Sequence, residues 1–123
     1  MKLLASIGIG LIAALHLYIA WFEIFAWTTR GPAVFSAFPA DLFEQTTAMA
    51  ANQGLYNSFL AAGLIWSLFI KDHDWQRRVA TCFLLFVAVA GLFGAYTVSP
   101  RIAVVQTVPA VIVLVLVWLS RGR

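Results

Sequence analysis

Four long apolar segments constrain this chain more than any other feature of its sequence. They cover roughly residues 3–27, 50–70, 79–97 and 102–120, and a helix needs about 20 apolar residues to cross the hydrocarbon core of a bilayer. Backbone amides find no water partners in lipid, so each spanning segment must satisfy them within a helix. The pattern therefore predicts an all-α fold: an integral membrane four-helix bundle, with residues 1–123 forming a single membrane domain.

The composition supports a membrane protein. Of the 123 residues, 63% are hydrophobic and 11% are charged, whereas a soluble domain carries about 25% charged residues. The formal net charge of +3 is small and scattered, so we expect no nucleic-acid partner; the lipid bilayer is the expected partner. The segment at 3–27 begins like a signal peptide, but it is too long and no small-residue cleavage site follows. We expect it to remain as a helix.

Basic residues predict the orientation of the chain. With four spans, both termini and the second connection share one side, which carries Lys2, Lys71, Arg77, Arg78, Arg121 and Arg123. The other side carries only Arg30 and Arg101. Cytoplasmic loops are enriched in Lys and Arg, so we expect a multi-pass protein of the cytoplasmic membrane with both termini, and the charged loop 71–78, in the cytoplasm.

The first connection, residues 28–49, is long, and it should contain a short helix. We expect Gly31 and Pro32 to end the first helix. The segment PADLFEQTTAMA then resembles a helix start, with Asp41 and Glu44 in its first turn, where they suit the helix dipole. Its apolar side comprises Phe35, Phe38, Leu42 and Phe43. We predict a short amphipathic helix on the outer surface; the alternative is a partly ordered loop.

Polar side chains from all four spans fall in the outer half of the predicted bundle. His16 lies near mid-bilayer and Glu23 lies two helical turns further out, roughly 10 Å away on the same face. The candidates for ligand binding or proton transfer are His16, Glu23, Asn52, Gln53, Tyr56, Asn57, Tyr96 and Gln106. Because apolar walls with a few convergent polar groups are typical of small-molecule sites, we predict a pocket at this level.

Glu23 is the most demanding residue to place. A charged carboxylate in hydrocarbon costs about 3 kcal/mol or more, and no Lys or Arg lies inside a predicted span. Its candidate partners are His16, Arg30, Arg101 and the amide side chains. Alternatively, Glu23 extends to the headgroup region, His16 bonds to a neighbouring backbone, and the Asn and Gln side chains only hold helices together.

Small residues and a proline should shape the helix contacts. We expect Gly54, Gly63 and Gly91 to let neighbouring backbones approach closely. Pro109 lies inside the fourth span and has no N–H. It should interrupt one backbone hydrogen bond and free a carbonyl near Gln106.

Three blocks of this sequence resemble a known family. They are HLYIAWFEIFAW at 16–27, ANQGLYNSFLAAGLIW at 51–66 and QTVPA at 106–110, and they resemble small bacterial integral membrane proteins known as a domain of unknown function. The resemblance covers essentially the whole chain, and NQGLYN is its most specific block. It implies four helices in a bacterial inner membrane, and it implies no particular activity.

Two classes of function fit these residues. In the first, the protein binds or transports a small amphipathic molecule, and Glu23 supplies a negative charge or exchanges a proton. Small multidrug transporters share this size, a four-helix plan and one glutamate in the first helix, and such bundles usually form a homodimer. In the second, the protein is an intramembrane enzyme acting on a lipid-like substrate, with His16 and Glu23 as acid and base.

Two further alternatives remain. A purely structural membrane subunit fits the same sequence. A metal site fits less well, because His16 and Glu23 provide at most two ligands, whereas zinc normally takes three or four from the protein. We therefore predict no metal and no cofactor.

Overall fold

The fold is described from a computed structural model, in which residues 1–120 are described. Within that range the chain contains six α-helices, one π-helical turn and no strand. In chain order these are α1 (Leu3–Phe25), α2 (Trp27–Val34), α3 (Ala40–Gln45), α4 (Thr47–Phe69), α5 (His73–Thr97), the π turn (Ala103–Thr107) and α6 (Val108–Leu119). The all-α prediction is confirmed. Arg121 and Arg123, which entered the orientation argument, lie outside the described residues.

Two helices, α1 and α5, are long and apolar enough to cross a membrane. The π turn and α6 together form a shorter apolar segment, Ala103–Leu119. α4 is as long as α1, with 23 residues, but its first half carries the amide-rich sequence AANQGLYN. By length and composition, two helices therefore indicate membrane association.

The longer helical segments pack in chain order around a ring. α1 contacts α4, α4 contacts α5, α5 contacts both the π turn and α6, and α6 returns to α1. At one end of this ring lies a continuous core of fully buried aliphatic side chains that includes Ile9, Leu64, Leu84, Val87 and Val117. We refer to this end as the closed half of the bundle, and to the opposite end, which contains the connection between α1 and α4, as the open half.

The first helix ends earlier than predicted. α1 stops at Phe25, because Ala26 leaves helical geometry (φ −124°, ψ 13°). The chain then re-enters helix as α2, which contains both Gly31 and Pro32. The predicted break at these two residues was wrong. The ring of Phe43 packs against the space beside Gly31, so tertiary packing maintains a short helix where local propensity is poor.

The short helix predicted in the first connection is present but shorter than its segment. α3 covers six residues and ends at Gln45, and Thr46 after it leaves helical geometry (φ −110°, ψ 13°). The Thr46 hydroxyl accepts a hydrogen bond from Trp27 Nε1 at 2.9 Å and donates to the carbonyl of Leu42 at 2.8 Å. The following residues, assigned from sequence to this helix, instead form the first turn of α4.

The charged segment 71–78 is mostly helix and not loop. α5 begins at His73, and the Asp72 side chain caps it by accepting from the backbone N–H of Trp75 at 2.9 Å. Arg77 and Asp74 form an ion pair at 2.7 Å within its first turns. Hydropathy marks where an apolar segment ends, whereas a capped helix continues beyond that boundary.

The chain before Pro109 widens into the π turn. The backbone N–H of Val108 donates to the carbonyl of Ala103, five residues earlier. This wider turn stands immediately before the proline that lacks an N–H. Thr107 lies in the same turn, and its hydroxyl donates to the carbonyl of Ala88 in α5 at 2.8 Å. Buried Gly91 faces Thr107, and any side chain there would collide with it.

Candidate functional site

A cavity of about 870 Å³ occupies the open half of the bundle. It is a half-open space bordered by the second half of α1, by α2 and the loop after it, by the first half and middle of α4, by the middle and second half of α5, by the turn after α5 and by the π turn. Most of its lining is apolar, with aromatic side chains that include Phe22, Trp27, Phe35, Phe59 and Phe86. This volume falls within the range of pockets that bind small molecules.

α4 and α5 are in direct contact towards the closed end, and side chains of both helices border the cavity towards the open end. Gly63 of α4 lies directly against the ring of Phe83 in α5. Further towards the open end, Tyr56 and Phe59 of α4 and Phe93 of α5 are each more than half exposed. These aromatic rings border the cavity without closing it, so the open half keeps a gap between the two helices.

The centre of the candidate site is a hydrogen bond between α1 and α4. Asn57 Nδ2 donates to Glu23 Oε1 at 2.5 Å, and the same nitrogen lies 3.3 Å from the carbonyl oxygen of Gln53. Asn57 is 8% exposed, whereas Glu23 is half-buried and lines the cavity. Of the partners proposed for Glu23 from sequence, an amide is therefore the one observed.

Gly54 permits this hydrogen bond by letting α1 and α4 approach closely. A Cβ atom at Gly54 would lie 2.7 Å from Ile24 Cγ1 and 3.0 Å from the carbonyl oxygen of Ala20. It would also lie 3.2 Å from Glu23 Cβ. Any larger residue would push the helices apart at the level where Glu23 meets Asn57.

Five of the eight candidate residues line the cavity. They are Glu23, Gln53, Tyr56, Asn57 and Gln106. They come from α1, α4 and the π turn, so side chains distant in sequence converge on one space.

The other three candidates do not line it. Asn52 is exposed, and Tyr96 is 90% exposed. His16 is fully buried and donates from Nδ1 to the carbonyl of Ile12 at 2.9 Å, a bond within its own helix. Its Nε2 has no hydrogen-bond partner among the described residues. The grouping by depth did not determine the face of the helix on which each of these three residues lies.

Arg101 is a cavity residue that the sequence suggested as a partner for Glu23 and as a basic residue of the outer side, but not as a candidate for ligand binding. It lies in the turn between α5 and the π turn, and it donates from its guanidinium to the carbonyl of Val34 at 2.8 Å. Val34 is the last residue of α2 and also lines the cavity. This hydrogen bond joins two sides of the cavity rim.

An aromatic cluster forms the wall beneath α2 and α3. The Trp27 ring lies 5.8 Å from Phe22, 5.9 Å from Phe35 and 5.2 Å from Phe43, measured between ring centroids. The hydrogen bond from Trp27 to Thr46 fixes the indole in place. The density of aromatic residues between positions 18 and 43 was the signal in the sequence that could have identified this wall.

A second pair of aromatic rings, outside this cluster, contacts the side chain of Arg30. The Arg30 guanidinium lies 5.9 Å from the Tyr18 ring centroid and 5.8 Å from that of Trp21, distances typical of cation–π contacts. This contact gives the partly exposed ring of Trp21 a defined partner. Arg30 contacts these rings and does not form an ion pair with Glu23.

The described residues offer no grouped metal ligands. Within residues 1–120, no three His, Cys, Asp or Glu side chains lie close enough together to hold a metal ion. The chemistry of the cavity is therefore that of one carboxyl group, one guanidinium, neutral amides and hydroxyls, and aromatic rings.

Comparison with known proteins places the chain in a family. The family model described as Protein of unknown function (DUF1304) matches residues 10–118. The chain belongs to this family. All cavity-lining residues of this DUF1304 protein fall inside the matched region. The family resemblance inferred from sequence is thereby confirmed, while the NQGLYN block as a mark of the family stays a prediction.

One relative of this DUF1304 protein matches over nearly the full length of both chains. The Uncharacterized protein YpaA of Lactococcus lactis subsp. lactis (strain IL1403) is 26% identical over 117 residues, which cover 94% of this chain and 97% of the relative. No solved structure matches the chain.

Proposed function

We propose that this DUF1304 protein is a multi-pass protein of the bacterial cytoplasmic membrane that binds a small amphipathic molecule in its open-half cavity. The observation that carries the proposal is the combination of aromatic walls with the Glu23–Asn57 pair in one space of about 870 Å³. Such a space accommodates an apolar body and offers a few fixed polar contacts, which is the usual design of small-molecule sites.

Exposed apolar surface supports the membrane part of the proposal. In their most apolar stretches, only 33% of α1 and 28% of α5 are buried inside the bundle. Leu3, Phe25, Phe69 and Leu119 are each at least two-thirds exposed. Soluble monomers rarely expose large contiguous apolar patches, whereas acyl chains would cover these side chains. All four of the long helical segments then cross the bilayer.

The basic residues support the orientation. Lys71, Arg77 and Arg78 lie at the closed end, beside the start of α5. By the preference of basic residues for the cytoplasm, the closed half faces inward, and the cavity faces the outer side. In this orientation both termini are cytoplasmic.

Glu23 provides the main polar contact for a ligand. A carboxyl group has two oxygens that accept several hydrogen bonds, and the observed bond from Asn57 uses one of them. The remaining acceptor capacity suits an ammonium or hydroxyl donor on the ligand. Gln53 and Gln106, which also line the cavity, add neutral donors and acceptors.

The packing of the closed half favours a binding protein over a transporter with a permanent path through the bundle. The aliphatic side chains of its core cluster fill the space between the helices. Binding in the cavity needs only this conformation, whereas transport would require a second conformation or a homodimer.

The position of His16 favours binding over catalysis. An acid–base mechanism needs both groups within reach of one substrate. Glu23 lines the cavity, whereas His16 is bonded to its own helix and does not line it. Binding is therefore the function that we propose first.

The proposal is tested by what accompanies the purified protein. The protein is solubilised in mild detergent, and bound molecules are identified by native mass spectrometry and lipid extraction. Ala90 lines the cavity, whereas Ala62 is exposed and does not line it, so Ala90→Trp fills the site and Ala62→Trp is the matched control. We expect the wild type and Ala62→Trp to retain an amphipathic molecule that Ala90→Trp loses by about tenfold, or 1.4 kcal/mol.

A second pair of variants tests the carboxyl group. Glu23→Gln should reduce retention, while Glu44→Gln, at an exposed position in α3, should not. If no molecule co-purifies and none binds on addition, or if Ala90→Trp retains it fully, the proposed function is wrong.

A further inference from the structure

Two opposite charges line the cavity without pairing with each other. Glu23 belongs to the wall between α1 and α4, and its observed partner is the neutral amide of Asn57. Arg101 belongs to the rim formed by the α5–π turn connection, and its observed partner is the neutral carbonyl of Val34. Within residues 1–120, the one ion pair joins Arg77 and Asp74 at the other end of the bundle.

The two charges differ in how far they are withdrawn from water. Glu23 is half-buried, and a buried charge is destabilising unless an opposite charge and good hydrogen bonds compensate it, whereas Arg101 is exposed at the rim. The guanidinium has five N–H donors in a planar fork, and its bond to Val34 leaves others for an anionic group. The carboxyl group of Glu23 likewise retains acceptor capacity beside its bond to Asn57.

The other arginine on this side of the bundle does not serve the same role. Arg30 stacks on the rings of Tyr18 and Trp21 and is not part of the cavity lining. Among the described residues, Arg101 is therefore the one guanidinium available to the cavity, and Glu23 is its one carboxyl group.

We propose that the cavity binds a zwitterionic amphiphile, with an ammonium group at Glu23 and a phosphate or carboxylate at Arg101. The inference rests on the proposed function and specifies its ligand class. A ligand with a single charge satisfies only one of the two groups, whereas a zwitterion satisfies both through charge-assisted hydrogen bonds. Its apolar part packs against the aromatic walls.

The gap between α4 and α5 provides room for that apolar part. Tyr56, Phe59, Phe86 and Phe93 border it and are all at least half exposed. An acyl chain can leave the cavity between these rings towards the bilayer. The same ammonium–anion chemistry occurs in a zwitterionic lipid and in a free water-soluble zwitterion, so the test must separate the two sources.

The wild-type protein tests the ligand class without any substitution. In dodecyl maltoside, native mass spectrometry measures the affinity for four probes: lysophosphatidylethanolamine, lysophosphatidylglycerol, dodecylammonium and O-phosphoethanolamine. The first carries both charges and a chain, the next two carry a chain with one charge, and the last carries both charges without a chain. We expect the first to bind about tenfold tighter than either singly charged amphiphile.

The chainless probe identifies the source. If O-phosphoethanolamine binds as tightly as lysophosphatidylethanolamine, the ligand is a free zwitterion. If its affinity is lower than that of lysophosphatidylethanolamine by about tenfold or more, the chain contributes to binding and the ligand is a zwitterionic lipid. Either result supports the proposed ligand class, provided that the preference over singly charged amphiphiles is present.

Charge-removing variants assign each end of the ligand. Glu23→Gln should lower the affinity for lysophosphatidylethanolamine to that for lysophosphatidylglycerol, and Arg101→Gln should lower it to that for dodecylammonium. The matched controls are Glu44→Gln and Arg30→Gln, which remove the same charges outside the cavity lining and should keep the wild-type preference.

The outcomes separate the two proposals. If the wild type binds all three chain-bearing probes equally, and Ala90→Trp blocks them, the zwitterion is overturned while the binding function stands. If the preference is present but survives in both Glu23→Gln and Arg101→Gln, the assignment to these residues is overturned. If no probe binds in the cavity at all, both proposals fail.

Discussion

The two halves of the bundle are built from the same four long helical segments but pack differently. In the closed half, aliphatic side chains such as Ile9, Leu64 and Leu84 are completely buried. In the open half, aromatic side chains such as Tyr56, Phe59 and Phe93 remain more than half exposed around a cavity. The helices of the closed half are therefore in close contact, whereas those of the open half leave a cavity between them.

Glycine allows close contact between helices in both halves, but the consequence differs between them. In the closed half, Gly8 faces Val113 and brings α1 close to α6. In the open half, Gly54 brings α1 close to α4, where the approach positions Glu23 for the hydrogen bond from Asn57. Close packing therefore stabilises the fold at one end and orients a polar group at the other.

The largest effect expected from this contrast is at a core leucine. Leu84 is 0% exposed and its neighbour Leu85 is 46% exposed, so the two provide a matched pair. Leu84→Ala should lower the free energy of unfolding by about 2–5 kcal/mol through lost packing and a residual cavity. Leu85→Ala should lower it by less than about 1 kcal/mol. Equilibrium denaturation in detergent measures both, and equal losses would contradict a distinct closed half.

A smaller effect is expected where α1 meets α4. Gly54→Ala introduces a methyl group against backbone and side-chain atoms of α1, and overpacking of this kind costs about 1–3 kcal/mol. It should also weaken retention of the co-purified amphiphile. Gly10→Ala is the control, since nothing lies within 4 Å of the added methyl group. Comparable destabilisation by both variants would show that the close approach at Gly54 is unimportant.

The smallest effect concerns the contact between α5 and the π turn. Thr107→Val removes the hydrogen bond to the carbonyl of Ala88, which should lower the free energy of unfolding by about 0.5–1.5 kcal/mol. The same change at Thr28, an exposed residue of α2, should have little effect. Thermal unfolding of the two variants measures the difference. A Thr107→Val variant more stable than Thr28→Val would show that the Thr107 hydrogen bond does not stabilise the fold.

The sequence predicts the helices better than their ends. Apolar length correctly indicated helices over the regions of α1 and α5. It did not indicate that Ala26 interrupts the first helix or that Asp72 starts α5 within a charged segment. These boundaries depend on local backbone geometry and capping, which hydropathy does not measure.

The cavity residues were predictable to the extent that depth determines them. Glu23, Asn57 and Gln106 were grouped because their positions along the helices coincide, and they do line one space. Tyr96 shares that depth but is 90% exposed. Which face of a helix turns inward depends on the rotation of each helix against its neighbours, and that rotation follows from contacts such as Gly54 with Ile24 that a single sequence does not reveal.

The most direct test of the account is thiol labelling along one stretch of α5. Val87 is fully buried, Val89 is 62% exposed without lining the cavity, and Ala90 lines the cavity. Each is replaced by cysteine in a Cys82→Ser background, which removes the exposed native thiol, and intact spheroplasts are treated with a charged, membrane-impermeant reagent. We expect labelling of Ala90→Cys alone, because Val87 lies in the core and, in the proposed orientation, Val89 faces lipid. Labelling of Val89→Cys as fast as Ala90→Cys, or no labelling of Ala90→Cys from the outer side, would contradict it.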